Sequence, residues 1–115
     1  FKVYNITFNK IDGVQVGTNV LISGVNVGFV NNVSLEKNHP LVSISIDKNI
    51  TLPDDSSISI QTDGLFGAKF MLIEIGGSEE PMNENDFFSF YEDSILVEDL
   101  LKKIIELGEI NKNES

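Results

Sequence analysis

Thr62–Gly76, TDGLFGAKFMLIEIG, sets two large apolar residues, Leu65 and Phe66, between Gly64 and Gly67, directly before an apolar run from Phe70 to Ile75. Glycines at this spacing mark a tight turn, since they supply backbone freedom there. Turn tips normally carry polar side chains, and leaving two large apolar ones in water forgoes roughly 1.5–3 kcal/mol each. Two readings are open. The tip is a binding surface, or it is a plug folded back onto its own core. The run after the turn is apolar at consecutive positions and broken only by Glu74. A strand apolar on both faces must be covered on both faces, by a helix or by a neighbouring subunit.

Working outward, shorter runs of the same kind surround this segment. Tyr4, Ile6 and Phe8 follow Val3 in a first strand, and Thr18–Ile22 reads as a second. Val25–Leu35 reads as a third, whose apolar phase slips after Gly28 and predicts a bulge or bend. Val42, Ile44 and Ile46 alternate with Ser43, Ser45 and Asp47, and Ile58 and Ile60 with Ser57, Ser59 and Gln61. Both are strands with one wet face. Asp12-Gly13, Ser23-Gly24, Asn38-His39-Pro40, Pro53-Asp54-Asp55, Asp63-Gly64 and Gly76-Gly77 punctuate the runs. Frequent short strands between turn signals make the chain all-β, a barrel or a sandwich. Residues 78–86, SEEPMNEND, read as a polar loop, and Phe87–Tyr91 as a last strand closing the sheet.

One amphipathic helix is expected after that strand. Asp93 or Ser94 can cap it and Gly108 can end it. Val97, Leu100, Ile104 and Leu107 fall at a/d spacing, and Leu96, Leu101 and Ile105 widen the stripe. Such a stripe packs on its own barrel or meets copies of itself at a symmetry axis. The division is therefore a β domain over 1–92, a helix over 93–108 and a frayed tail over 109–115.

The 115 residues suit one domain with a modest core. The chain begins at Phe1 with neither an initiator Met nor a charged-then-apolar leader, and reads as a piece of a longer protein. No stretch is long and apolar enough to span a bilayer. With no cysteine there is no disulfide, thiolate metal site or thiol nucleophile. The net charge of −10 is uneven: residues 1–78 hold 7 acids and 5 bases, residues 79–115 hold 11 acids and 3 bases. No basic patch meets phosphates, so neither nucleic acid nor anionic lipid headgroups are expected as electrostatic partners. Lipid contact, if any, is apolar.

Catalytic groups do not assemble in this sequence. His39 is the only histidine and lies in a turn signal without a nearby nucleophile. Zinc would need distant carboxylates, so neither metal nor cofactor is expected. Asp54 and Asp55 are adjacent and follow a proline, which is ordinary turn chemistry. Lys69 follows Gly67 without the spacing of a phosphate loop. The chain is not read as an enzyme.

An ordered set of residues carries a family resemblance: Phe8-x-x-Ile11-x-Gly13, Gly17-x-x-Val20, Gly24-Val25-x-Val27-Gly28-x-Val30, Pro53-Asp54, Thr62-Asp63-Gly64-Leu65-Phe66-Gly67 and Ile75-Gly76. In this order and spacing the chain resembles the mammalian cell entry (MCE) domain family. The likeness is strongest to its single-domain members, the substrate-binding components of bacterial phospholipid ABC transport systems. Val97-Glu98-Asp99-Leu100-Leu101 is similar to the C-terminal helix of those members. The resemblance implies a small seven-stranded β-barrel with a C-terminal α-helix. It implies a homohexameric ring around an apolar pore, on the periplasmic side of the inner membrane, with a transmembrane anchor N-terminal to this segment. It also implies a permease and an ATPase below the ring, a periplasmic carrier beyond it, and phospholipid passing through unchanged. The family's pore loop matches Gly64, Leu65, Phe66 and Gly67, so Leu65 and Phe66 are expected to line the channel. Phe66 stands where the family more often has a second leucine. The apolar stripe of Val97, Leu100, Leu101, Ile104 and Leu107 would extend the passage. A monomeric β-barrel that grips a protein or acts as an adhesin through Leu65 and Phe66 is the competing reading.

Overall fold

The computed structural model describes residues 1–96, with side chains through residue 89. These residues are all-β. Seven strands run as β1 (Lys2–Thr7), β2 (Asn19–Ile22), β3 (Val25–Glu36), β4 (His39–Ile46), β5 (Ser57–Thr62), β6 (Lys69–Glu74) and β7 (Phe90–Leu96). They form one sheet in the order β1-β4-β3-β2-β6-β5-β7. The β2/β6 and β5/β7 pairs are parallel and the other four antiparallel. The sheet curls, so that the segment leading into β7 runs back along β1. There Asn85 N donates to Val3 O at 2.7 Å, Asn5 N to Asp86 O at 2.9 Å, and Phe88 N to Asn5 O at 2.9 Å.

Period-two alternation builds the wall of the core. Val42, Ile44 and Ile46 of β4 are fully buried, as are Ile6 of β1 and Ile60 of β5. Ser43 and Asn31, on the other face, bond across strands instead: Ser43 Oγ donates to Asn5 Oδ1 and Asn31 Nδ2 to Ser45 Oγ, both at 2.7 Å. A one-residue slip would exchange these two sets, so the register is strongly specified. Tyr4 and Phe88 stack edge-on with centroids 6.3 Å apart and fill the space where the sheet returns on itself.

Several turns depart from their reading in the sequence. The bulge expected near Gly28 is there, as two irregularities on β3: Val27 is passed over in the pairing with β2, and Asn31 in the pairing with β4. Gly28 itself is required by close approach, because a Cβ there would collide with the carbonyl oxygen of Ser45. The β3–β4 turn is Lys37-Asn38, both at positive φ (51° and 68°), and not Asn38-His39-Pro40. Two consecutive left-handed residues match the twist of a tight hairpin, so His39 and Pro40 become strand, paired with Glu36 and Leu35. The stretch 78–86 is polar in composition yet buries Met82, whose N donates to the carbonyl of the buried Leu52 at 2.7 Å. The last strand begins at Phe90 rather than Phe87 and continues to Leu96, so Asp93 and Ser94, read as helix caps, lie in β7. The remainder of the expected helix, with Val97, Leu100, Leu101, Ile104 and Leu107, and the tail over 109–115 lie outside the described residues.

Candidate functional site

The β5–β6 hairpin ends at the pair Thr62↔Lys69. Beyond it, residues 63–68 close on themselves. Asp63 N donates to Ala68 O at 2.8 Å and Gly67 N to Asp63 O at 2.7 Å. The Asp63 carboxylate also accepts from Leu65 N at 2.8 Å, a side-chain turn of the kind Asp forms readily. Gly67 takes the left-handed conformation, at φ 69°. With these backbone groups bonded inside the loop, the apolar side chains at the tip are left to solvent: Leu65 is 87% exposed and Phe66 84%. The plug reading fails on this point. The tip does not fold onto its own core, and two large hydrophobes stand next to each other in water, the signature of an interaction surface.

The root of the hairpin is anchored from the side. Lys69 Nζ donates to Thr62 Oγ1 at 2.6 Å and lies 4.0 Å from Asp12 Oδ2. Its methylenes lie so close to Gly13 that a Cβ there would come within 2.9 Å of Lys69 Cγ. An open groove of about 660 Å³ runs beside the tip, lined by Gln15, Val16, Thr18, Gly67, Ala68 and Lys69 among others. Val16 carries no signal in the sequence and Lys69 is weighed there only against a phosphate loop, because only the fold brings the β1–β2 connection against the hairpin root.

Strand β6 has two faces, as its composition requires. Met71 and Ile73 are buried in the core, while Phe70 and Leu72 on the outer face are half-buried. Leu21 of β2 lies opposite Leu72, which extends the outer apolar row by one strand.

The residues weighed for catalysis are dispersed. His39 is exposed at the start of β4. The Asp55 carboxylate accepts from Gly77 N at 3.1 Å and Ser78 N at 3.0 Å, so it clamps a turn. Among the described residues no group of three or more His, Asp or Glu side chains is placed to hold a metal ion.

The chain matches known proteins in sequence and in fold. The family model described as MlaD protein matches residues 2–76. The chain is 30% identical over 118 residues to the intermembrane phospholipid transport system binding protein MlaD of Escherichia coli K12, covering 93% of this chain and 64% of that protein. It therefore spans just under two thirds of that relative's length. The protein of the same description from Haemophilus influenzae is 38% identical over 80 residues, covering 65% of this chain and 48% of that one. Among solved structures, a chain of the Acinetobacter MlaFEDB complex in an ATP-bound conformation superposes with a TM-score of 0.75 at 18% identity. The match covers 90% of this chain and 80% of the other, a likeness of fold.

Proposed function

This chain belongs to the MlaD protein family, and on that premise we propose that it is a non-enzymatic lipid-binding and transfer subunit of a phospholipid transport system of the ABC type. The observation that carries the proposal is the pair Leu65–Phe66, held in water on a loop whose backbone is bonded within itself. In a ring of copies, one such tip per subunit becomes a continuous apolar collar. Acyl chains then pass without being hydrated, which spares about 0.8 kcal/mol per CH₂. A closed ring uses heterologous interfaces, and the outer row of Leu21, Phe70 and Leu72 offers apolar surface for one.

In this reading the subunit is a seven-stranded barrel, with the stripe from Val97 onward forming a helix after β7 that ends at Gly108. Six copies surround the pore, with Gly64 and Gly67 framing the residues that line it. Val97, Leu100, Leu101, Ile104 and Leu107 continue the passage beyond the ring. A permease and an ATPase are the partners on the membrane side, and a periplasmic lipid carrier is the partner on the other. The ring stands on the periplasmic side of the inner membrane, tethered by a segment N-terminal to Phe1. Support comes from the relatives, whose names place them in intermembrane phospholipid transport.

The test is replacement of both tip residues, Leu65→Asn and Phe66→Asn, in the full-length chain with its transport partners. Lipid transfer is expected to be lost while native mass spectrometry still reports the assembled ring. Normal lipid traffic with the double variant, or a parent chain that is strictly monomeric in its membrane assembly, overturns the proposal.

A further inference from the structure

The bonds that close the tip loop run among residues 63–68. They fix the loop's shape but not the direction in which the hairpin end leans from the sheet. Direction requires a contact from another part of the fold, and Lys69 makes one. It stands opposite Thr62 on the last rung of β5–β6. Its ammonium reaches Thr62 Oγ1 and Asp12 Oδ2, and its methylenes pack on Gly13. The side chain is only 18% exposed and Thr62 is buried, whereas Asp12 is 84% exposed. A pair with so exposed a carboxylate is weak. The apolar stem, lying along the β1–β2 connection as long cationic side chains do, carries the contact, and the bond to Thr62, its cross-strand partner in the hairpin, holds the side chain in place for it.

We propose that Lys69 is a positioning residue: it ties the root of the hairpin to the Asp12–Gly13 turn and so sets the direction in which Leu65 and Phe66 project. Its importance for transport rests on the reading above, that the tip is the lipid-contacting surface. Its effect on the tip does not.

The 115 residues hold no tryptophan, so Phe66→Trp, with any tryptophan outside them replaced by Phe, gives a lone fluorescent reporter at the tip. In the full-length chain bearing that reporter, Lys69→Met keeps the stem and removes the ammonium, Thr62→Val removes the acceptor alone, and Lys69→Arg restores a donor. Reporter anisotropy is expected to fall in Lys69→Met and in Thr62→Val, and to return toward the parent value in Lys69→Arg. Without the reporter, Lys69→Met is expected to slow lipid transfer by about fivefold, the scale of coupling through a packed contact, with Lys69→Arg recovering most of it. Thermal unfolding run in parallel identifies a variant that does not fold, in which case Thr62→Val decides. Unchanged anisotropy in the folded variants overturns the proposal, whatever lipid transfer does. A freed tip with full transfer overturns the role in transport if the double Asn variant abolishes transfer. If the double Asn variant also transfers normally, the proposed function fails and the positioning of the tip stands.

Discussion

Ile44 and Ile60 on the wall of the core, and Leu65 and Phe66 at the end of the hairpin, are side chains of comparable hydrophobicity with opposite fates. The first pair is fully buried and the second almost fully exposed. Ile60 and Leu65 are five residues apart in the sequence. What separates them is where the backbone finds its hydrogen bonds. In β5 the partners are neighbouring strands, so alternate side chains are driven into the shared interior. At the tip the partners are Asp63 and Ala68, so the loop turns away from the sheet and takes its side chains with it. The core residues serve stability, and the tip residues are free to serve something else.

Substitutions at the two places should separate these roles. The largest effect is expected from Ile60→Ala. Ile60 faces Met71 across the ladder, and truncation should lower unfolding free energy by about 2–5 kcal/mol in a urea titration. Gly28→Ala should follow, at about 1–3 kcal/mol, since the new Cβ meets the backbone of β4 and not a movable side chain.

Tyr4 sharpens the comparison from the polar side of the core. Burial raises its phenol above the ordinary 10.0, and the nearby charges of Glu84 and Asp86 add to the effect. Above pH 10.0 the unfolded chain releases a proton that the folded chain keeps. The stability tied to the neutral phenol is therefore complete below pH 10.0 and is lost as pH rises through the elevated native value. Alkaline unfolding curves should show this loss, and Tyr4→Phe should remove it. The smallest effect belongs to the tip. Leu65→Asn with Phe66→Asn should change stability by no more than about 0.5 kcal/mol, because these side chains meet water in both the folded and the unfolded states. A large loss of stability there would mean that the tip packs on its own subunit.

Strand positions were legible wherever alternation was clean, as in Val42–Ile46 and Ile58–Gln61, because a two-residue period has one physical solution on a half-buried sheet. The hairpin tip was legible as an anomaly: apolar residues between glycines in a turn. Its exposure was not, since a plug and a projecting tip share one composition. The boundary at His39 was missed because Lys37 and Asn38 take left-handed conformations that Asn tolerates and Lys rarely signals. Met82 was missed because one apolar residue in a polar loop carries no period. The bracing role of Lys69 was missed because it lies in meeting Asp12 and Gly13, far earlier in the chain.

The sequence by itself determined that the described residues are built of strands and that residues 64–67 are out of keeping with an ordinary turn. Those conclusions depend on local period and on composition, which are properties of neighbours along the chain. Only the tertiary structure decided that Leu65 and Phe66 face water, that the loop satisfies its own backbone, and that Lys69 braces its root. Each of these depends on contacts whose partners are chosen when the sheet curls, and such contacts leave no periodic trace in the order of residues.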